Sequence, residues 1–338
     1  MKKIILVAGS MDPAKSYEYH NFQKPLEKMG YDILPFDFTE EMQDLGREEM
    51  NRKLLYTVKE NRPDVVIFVP QNDQFVPEIV DEIGKFTITF GYLFDDVWRV
   101  EYSRFWARHF NFVSTSDVNG VRKFREAGVT NAIYSPFACN TSVYCKRELP
   151  KIYDVTFVGQ YHPYRAWSIN YLRKKGIDVH VWGKGWPSGM VSLEEMVRIF
   201  NQSRINLNFS NCVSWDARYV FTLFRPIKSS LRVWRQGMHA ISRADMKTVE
   251  QVKGRHFEIN ACGGFQLSYY VEGLEQMYVI GREIAIFATP EDLNEKIKYY
   301  LNNEKECMAV AQRGHVRTQS DHTMELRFQN IFEKLGLA

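Results

Sequence analysis

The sequence lacks any apolar run long enough to cross a membrane as a helix, which takes about 20 consecutive residues. The short apolar run at residues 4–8 follows two lysines, which faintly imitates a secretion signal. It ends in the turn residues Gly9-Ser10 and Asp12-Pro13, and is more typical of a first buried strand. We therefore expect no transmembrane segment and a cytoplasmic location.

Cysteine is scarce, and metal-binding patterns are missing. The five cysteines are scattered, and none forms a CxxC pair or combines with histidine at zinc-ligand spacing, so we interpret them as reduced and mostly structural. There is no HExxH and no DxD in a suitable loop, so we expect no metal and no cofactor. The formal net charge of +3 is too close to balance to indicate a nucleic-acid-binding protein.

Short apolar runs alternate with amphipathic stretches along the whole chain. Continuous apolar strands separated by helices of ten or more residues predict parallel sheets covered on both faces. The pattern stops at 140–153 and then starts again, so we predict two doubly wound, Rossmann-like α/β domains, at 1–150 and 151–338. An irregular insertion occupies 211–252, and the last helix is a candidate to pack back on the amino-terminal domain. Ligands of such sheets bind at the carboxyl ends of the strands, which predicts a cleft between the domains.

The segment KGRHFEINACGG at residues 253–264 resembles the C-terminal domain of GT-B glycosyltransferases, specifically the CgeB-like (spore maturation protein-like, glycosyl transferase group 1) group. The resemblance extends through DVTFVG, VWGKGW and PEDLNEKIKYYL, and more weakly through LFDDVW and SPFACN in the first half. It implies a GT-B fold and a hexosyltransferase-like enzyme. Such an enzyme moves a sugar from a nucleotide diphosphate-sugar to an acceptor hydroxyl without a metal.

The donor-side residues follow from this segment. In the family's E-x-x-A-C-G pattern the glutamate holds the donor ribose, and Glu258 is the matching residue. Arg255 and Lys253 would add charge at a helix start that favours a diphosphate. Gly263 and Gly264 would let the backbone approach a ligand. The alternative is an ordinary helix with a glutamate in its first turn and glycines at its carboxyl end.

Four further positions are donor-side candidates. Arg165 opens the helix after DVTFVG and could contact the donor phosphates, although a plain surface arginine explains it nearly as well. Lys184 lies between two glycines that indicate a turn as readily as a site. Glu275 and Glu283 match acidic positions of the family, and either could equally be a solvated side chain.

The first half is expected to bind the acceptor and to supply any catalytic base. Asp95 and Asp96 follow an apolar run where a strand end should face the cleft, so either is a candidate base. An acidic pair capping the next helix explains them equally well. His20 is a further candidate, in a loop that also contains Ser10 and Tyr17. A retaining enzyme would need no base, and the stereochemistry stays open.

The insertion mixes basic and aromatic residues. Its basic residues are Arg218, Arg225, Lys228, Arg232, Arg235, Arg243 and Lys247, and its aromatic residues are Trp215, Tyr219, Phe221, Phe224 and Trp234. This composition fits a lid or acceptor platform, and it fits a small helical subdomain as well. The acceptor itself stays open, as a hydroxyl of a glycan, a protein, a lipid-linked molecule or a nucleic acid. Alternative functions are a nucleotide-sugar epimerase on the same fold and a two-domain protein that binds a small ligand without chemistry.

Overall fold

The computed structural model describes residues 2–210 and 249–337. Contacts between Cα atoms divide the chain into two compact units. Unit 1 comprises Met1–Asn140 and Met324–Ala338, and unit 2 comprises Thr141–Thr323. The boundary thus falls after Asn140 and not after residue 150, and the last helix belongs to unit 1. The predicted insertion at 211–252 lies outside the described residues except for its last four.

Unit 1 contains a parallel sheet of six strands. They are β1 (Lys3–Ala8), β2 (Asp32–Asp37), β3 (Val65–Phe68), β4 (Ile88–Gly91), β5 (Phe112–Thr115) and β6 (Ala132–Tyr134). The strand order is β2-β1-β3-β4-β5-β6. The chain moves outward from β1 to β2 and then crosses back to β3, so the topological switch point lies between β1 and β3.

The helices of unit 1 cover both faces of this sheet. A π-helical turn, Tyr19–Gln23, leads into α1 (Lys24–Lys28). The other helices of unit 1 are α2 (Phe38–Leu45), α3 (Arg47–Asn61), α4 (Pro77–Ile83), α5 (Val100–Trp106), α6 (Gly120–Glu126) and α13 (Met324–Leu335). Because strand side chains alternate between faces, Ile5 and Val7 enter one apolar cluster while Ile4 and Leu6 enter another. The second cluster includes Phe328 of α13. Both faces of this sheet are therefore apolar and covered.

Unit 2 contains a parallel sheet of five strands. They are β7 (Tyr153–Val158), β8 (His180–Trp182), β9 (Ser203–Asn208), β10 (Gln266–Tyr269) and β11 (Ala285–Phe287), in the order β11-β10-β9-β7-β8. The described helices are α7 (Pro163–Lys174), α8 (Leu193–Gln202), α9 (Arg255–Ala261), α10 (Leu274–Met277), α11 (Pro290–Asn302) and α12 (Glu304–Asp321). The switch point of this sheet lies between β7 and β9.

The two faces of the unit 2 sheet differ in chemistry. Val155, Phe157, Ile205, Leu207 and Leu267 point into one apolar cluster. The residues that alternate with them are polar and nevertheless buried, namely Thr156, Asn206, Asn208, Gln266 and Ser268. A polar layer of these five side chains therefore lies under the helices on the second face.

These structures confirm the predicted fold class, two α/β units with parallel sheets. Every apolar run that predicts a strand forms a strand. Some of these strands are shorter than the run that predicts them. Helix α2 was not predicted from the sequence. It begins where the Asp37 side chain accepts hydrogen bonds from the backbone N–H groups of Thr39 and Glu40, an N-cap that offsets two of the helix's unpaired donors. Within residues 2–210 and 249–337, no helix has the length and apolarity to cross a bilayer.

Candidate active site

The segment that carries the family resemblance forms helix α9 and the turn after it. The helix ends in a Schellman motif: Gly263 donates its N–H to the carbonyl of Asn260 at 2.9 Å, and Gly264 donates to Ile259 at 3.1 Å. Gly263 has a φ of +68°, and a Cβ on Gly264 would lie 2.7 Å from the Asn206 amide nitrogen. Both glycines thus have a clear role in ending the helix, which was the alternative considered from sequence.

Glu258 and Arg255 form a close ion pair on α9. Arg255 Nη1 donates to Glu258 Oε2 at 2.6 Å, and Glu258 is only 5% exposed. The arginine also lies over the ring of Phe200 at 5.2 Å and contacts Met196. A buried carboxylate is costly unless it is paired, so the contact with Arg255 offsets the cost of burying Glu258 and fixes its orientation.

His256, which sequence reasoning passed over, lies between these two residues in the chain and is fully buried. Its Nε2 lies 3.0 Å from Ser210 Oγ, and its Nδ1 lies 3.1 Å from the backbone nitrogen of Lys253. Burial lowers the pKa of His256 to about 4, so the ring is neutral at pH 7. Ser210 follows the carboxyl end of β9, and this contact therefore brings the start of α9 to that edge of the sheet.

The polar layer holds α9 from below. Gln266 Nε2 donates to the His256 carbonyl at 3.0 Å, and its Oε1 accepts from Asn208 at 3.2 Å. Asn206 donates to the carbonyls of Phe200 and Phe265. Buried amides with satisfied partners specify one arrangement, because any shift leaves a polar group unpaired. Periodicity alone could not have revealed these residues as supports of a site.

Arg165 bridges the two strands at the switch point of unit 2. Its Nη1 donates to the carbonyl of Gln160, after β7, at 2.7 Å, and its Nη2 donates to the carbonyl of Phe209, after β9, at 2.8 Å. The residue is thus placed at the predicted edge, with two donors used by the backbone. Lys184 is exposed, and its backbone carbonyl accepts a hydrogen bond from the N–H of Tyr161. Its backbone therefore belongs to a turn, as the flanking glycines indicate.

Of the remaining donor-side candidates, Glu275 and Glu283 lie apart from the Arg255–Glu258 pair in the chain. Glu283 accepts a hydrogen bond from the backbone N–H of Val279 at 2.8 Å and lies 4.0 Å from Arg317. Glu275 is exposed and accepts from the Tyr270 hydroxyl at 3.3 Å. Lys253 is half-buried and lies two residues before Arg255, the first residue of α9. Local contacts account for Glu283 and Glu275, whereas Lys253 stays at the helix start as predicted.

In unit 1 the two neighbouring aspartates differ strongly. Asp96 is 4% exposed. One of its oxygens accepts from the Thr115 hydroxyl, and the other accepts from the backbone N–H and the hydroxyl of Ser116. Burial raises the pKa of Asp96, with these hydrogen bonds acting in the opposite direction. Asp96 thus braces the end of β5, whereas Asp95 is half-buried and lines a pocket. Neither carboxylate caps α5.

His20 and Glu18 occupy the segment after β1. His20 Nε2 lies 2.7 Å from the Pro13 carbonyl, which can only accept, so this nitrogen carries the proton. Glu18 lines the same pocket as Asp95. Burial raises the pKa of Glu18, and the nearby Asp37 carboxylate adds to the effect. Sequence reasoning named its neighbours Tyr17 and His20 but missed Glu18, whose burial depends on residues far along the chain.

Among residues 2–210 and 249–337, no group of three or more histidine, cysteine, aspartate or glutamate side chains could hold a metal ion. At the carboxyl edge of unit 2 the described residues include the basic Arg165 and the ion pair of Arg255 with Glu258.

Comparison with known proteins identifies the family. The model of the "Glycosyl transferase-like" family matches residues 165–333, half of the chain, and includes α9 with Arg255, His256 and Glu258. The chain belongs to this family of glycosyltransferases. No curated protein sequence matches it significantly.

Solved structures share the fold over nearly the whole chain. HepE of Anabaena, solved in complex with UDP, has a TM-score of 0.57 at 11% identity, with 100% of each chain covered. Sucrose-phosphate synthase from Thermosynechococcus elongatus has a TM-score of 0.61 at 10% identity, covering 99% of each chain. A glycosyltransferase from Rickettsia africae has a TM-score of 0.58 at 7% identity, covering 98% of this chain and 97% of that one. At such identities the likeness shows the GT-B fold alone.

Proposed function

We propose that this glycosyltransferase takes its sugar from a nucleotide diphosphate-sugar bound at α9 of unit 2 and transfers it to an acceptor hydroxyl without a metal. The observation that carries the proposal is the ion pair between the buried Glu258 and the half-buried Arg255, inside the family-matched segment. A carboxylate held at 2.6 Å from an arginine has a fixed orientation and keeps its second oxygen for a ligand. Two adjacent ribose hydroxyls are suitable donors to such a group.

The charge at the start of α9 supports a diphosphate donor. Lys253 precedes the helix and Arg255 opens it, so we place the negative charge of the leaving diphosphate beside these two cations, of which Arg255 is also paired with Glu258. Preorganised cations stabilise that charge without reorganisation during the reaction. The donor base stays open, and uridine is our first choice because HepE was solved with UDP and with UDP-glucose.

The test is a thermal-shift screen of the full chain against UDP, GDP, ADP, CMP and dTDP and their common sugars. We expect one nucleotide family to raise the melting temperature by mass action, with and without EDTA. Glu258→Gln, which keeps the shape of the side chain, should abolish the shift. Glu291→Gln, an exposed glutamate on α11, is the matched control.

Two outcomes would contradict the proposal. If no nucleotide shifts the melting temperature, the donor site is wrongly assigned. If a nucleotide shifts wild type and Glu258→Gln equally, α9 does not hold the ribose. Circular dichroism of each variant shows whether it is folded, so that a lost shift is not mistaken for lost structure.

A further inference from the structure

Helix α12 contacts the carboxyl end of α9, the end away from Lys253. His315 of α12 has its Nδ1 3.0 Å from the backbone carbonyl oxygen of Ala261 and 3.2 Å from that of Asn260. A carbonyl can only accept a hydrogen bond, so Nδ1 carries the proton and donates to both oxygens. His315 therefore caps the end of α9 from a neighbouring helix.

A helix as short as α9 depends on contacts of this kind. It has seven residues, and the last four carbonyls of a helix have no partner within the helix itself. The turn at residues 263–264 supplies donors to the carbonyls of Ile259 and Asn260. His315 supplies a donor to the carbonyl of Ala261. A side chain of α12 thus continues the capping that the backbone turn begins.

Gly314 lets α12 come close enough for this contact. A Cβ at this position would lie 2.3 Å from the backbone carbonyl oxygen of Glu283 and 3.1 Å from the side-chain nitrogen of Asn260. Glycine inside a helix is unfavourable relative to alanine, and here the space taken by the neighbouring backbone accounts for it. The dipeptide Gly314-His315 therefore combines a close approach to α9 with a hydrogen-bond donor.

The next turn of α12 is fixed against the same side of the unit. Thr318, four residues after Gly314, shares a hydrogen bond of 2.8 Å with the hydroxyl of Tyr278. The centre of the Tyr278 ring lies 5.8 Å from that of Phe257, a buried residue of α9. Residues four apart lie on one face of a helix. His315 thus reaches α9 from a helix that is itself held in place.

The carboxylate of Glu258 is sensitive to the position of this capped end. Glu258 lies three residues before Ala261 on α9, a separation of about 4.5 Å along a helix axis. A shift of the last turn of so short a helix therefore also moves Glu258. Hydrogen bonds weaken steeply when their distances and angles depart from the preferred values, so a small shift is enough to weaken the contact with a ligand.

We propose that His315 is a positioning residue for the donor site: its hydrogen bonds to the end of α9 set the position of Glu258 and thereby the affinity for the nucleotide. The inference rests on the proposed function, in which Glu258 holds the donor ribose. His315 acts through α9 and is assigned no contact with the nucleotide.

The test compares two amide substitutions of His315. In His315→Asn the amide nitrogen replaces Nδ1, because each of these atoms is bonded to Cγ. In His315→Gln the amide nitrogen lies one bond further out. Titration calorimetry of the full chain uses UDP, or whichever of GDP, ADP, CMP and dTDP the thermal-shift screen selects. We expect His315→Asn to bind within about threefold of wild type and His315→Gln about tenfold more weakly, the effect of one lost hydrogen bond.

The order of the two variants separates positioning from a purely structural role. Glutamine is a better helix former than asparagine, so an effect on the stability of α12 alone would make His315→Gln the milder change. Urea unfolding shows that each variant is folded and measures its stability. The matched control is Lys296→Met on α11, which removes a side-chain donor to the Ile286 carbonyl. It should lower stability and leave the nucleotide affinity within about twofold of wild type.

Three results would overturn the inference: wild-type affinity in His315→Gln, an equal loss of affinity in His315→Asn and His315→Gln, or a loss of the same size in Lys296→Met. If any of these occurs while wild type binds the nucleotide, the proposed donor site stands and His315 does not position it. If wild type binds no nucleotide, the proposed function fails, and this inference fails with it.

Discussion

The two units share a strand order but differ in what lies under their helices. In both sheets the first strand lies between the second and the third, and the later strands extend from the third. The unit 1 sheet packs apolar side chains on both faces. The unit 2 sheet does so on one face and presents the polar layer of Thr156, Asn206, Asn208, Gln266 and Ser268 to the other. The same topology therefore supports two kinds of interior.

The difference shows where a helix needs accurate placement. An apolar layer tolerates small shifts of the helix above it, because dispersion contacts have little directional preference. A layer of amides does not, because each hydrogen bond has a preferred angle and distance. Helix α9, which carries Arg255 and Glu258, lies on the polar layer. The candidate residues Glu18 and Asp95 of unit 1 instead lie on the loops after β1 and β4 and line one pocket together with Arg99.

The largest expected effect is on donor binding. Glu258→Ala should weaken binding of the selected nucleotide on the order of a thousandfold, because two hydrogen bonds to a charged group are lost at about 1.5–3 kcal/mol each. Titration calorimetry measures this loss, with Glu291→Gln as the control. A loss of less than about tenfold would mean that Glu258 does not hold the ribose.

The second effect is on acid stability. Because burial lowers the pKa of His256 to about 4, folded protein binds fewer protons than unfolded protein below pH 6.5, and stability is lost as the pH falls from about 6.5 towards 4. The shift corresponds to about 3 kcal/mol. Urea unfolding at pH 7 and pH 4 should show a smaller pH-dependent loss, by about this amount, in His256→Asn than in wild type. Equal losses would mean that the imidazole is not held neutral.

The third prediction tests the polar layer. Gln266→Leu should lower the free energy of unfolding by about 2 kcal/mol, because the His256 carbonyl and the Asn208 amide lose a buried partner. In the apolar layer of unit 1, the volume-conserving change Leu6→Ile should cost less than about 1.5 kcal/mol. Chemical unfolding of both variants gives the comparison. If Gln266→Leu were neutral or stabilising, the layer would not depend on its hydrogen bonds.

The smallest effect concerns Glu18. A carboxyl with a raised pKa favours the folded state at low pH, and this contribution is lost as the pH rises through the folded-state value. Glu18→Gln removes the ionised form and should slightly raise the melting temperature at pH 7, with a smaller difference from wild type at pH 4. A rise of the same size at both pH values would mean that the pKa of the half-buried Glu18 is not raised.

Much of the fold could be predicted because strand burial leaves a direct trace in the sequence. Runs such as Ile4–Ala8 and Val65–Phe68 are apolar at every position, which is typical of strands covered on both sides. The strand RINLNFS at residues 204–210 shows the limit. Taken alone, its alternation is typical of a strand with one solvent-facing side, yet Asn206 and Asn208 are buried. The alternation shows which side of a strand is polar. It does not show whether that side is exposed to solvent or is buried and hydrogen-bonded.

The candidate site was predictable only in part, for a similar reason. Glu258 and Arg255 are three residues apart on a helix, so their proximity follows from local geometry, whereas their part in donor binding stays a prediction. Asp95 and Asp96 are neighbours in sequence and have opposite surroundings, because Thr115 and Ser116 reach only one of them. The surroundings of Glu18 depend on Asp37 and on the strand ends, which only the folded chain brings together.

The membership of α13 in unit 1 has a consequence for synthesis of the chain. In order of translation, unit 2 is inserted between the first 140 residues of unit 1 and its last helix. Phe22 contacts Phe328, and Tyr31 contacts Phe332. These contacts therefore form only after α13 has left the ribosome. At about 5–20 residues per second, the nascent amino-terminal half keeps an uncovered apolar face for many seconds. We expect chaperones that bind such faces to act on this protein during its synthesis.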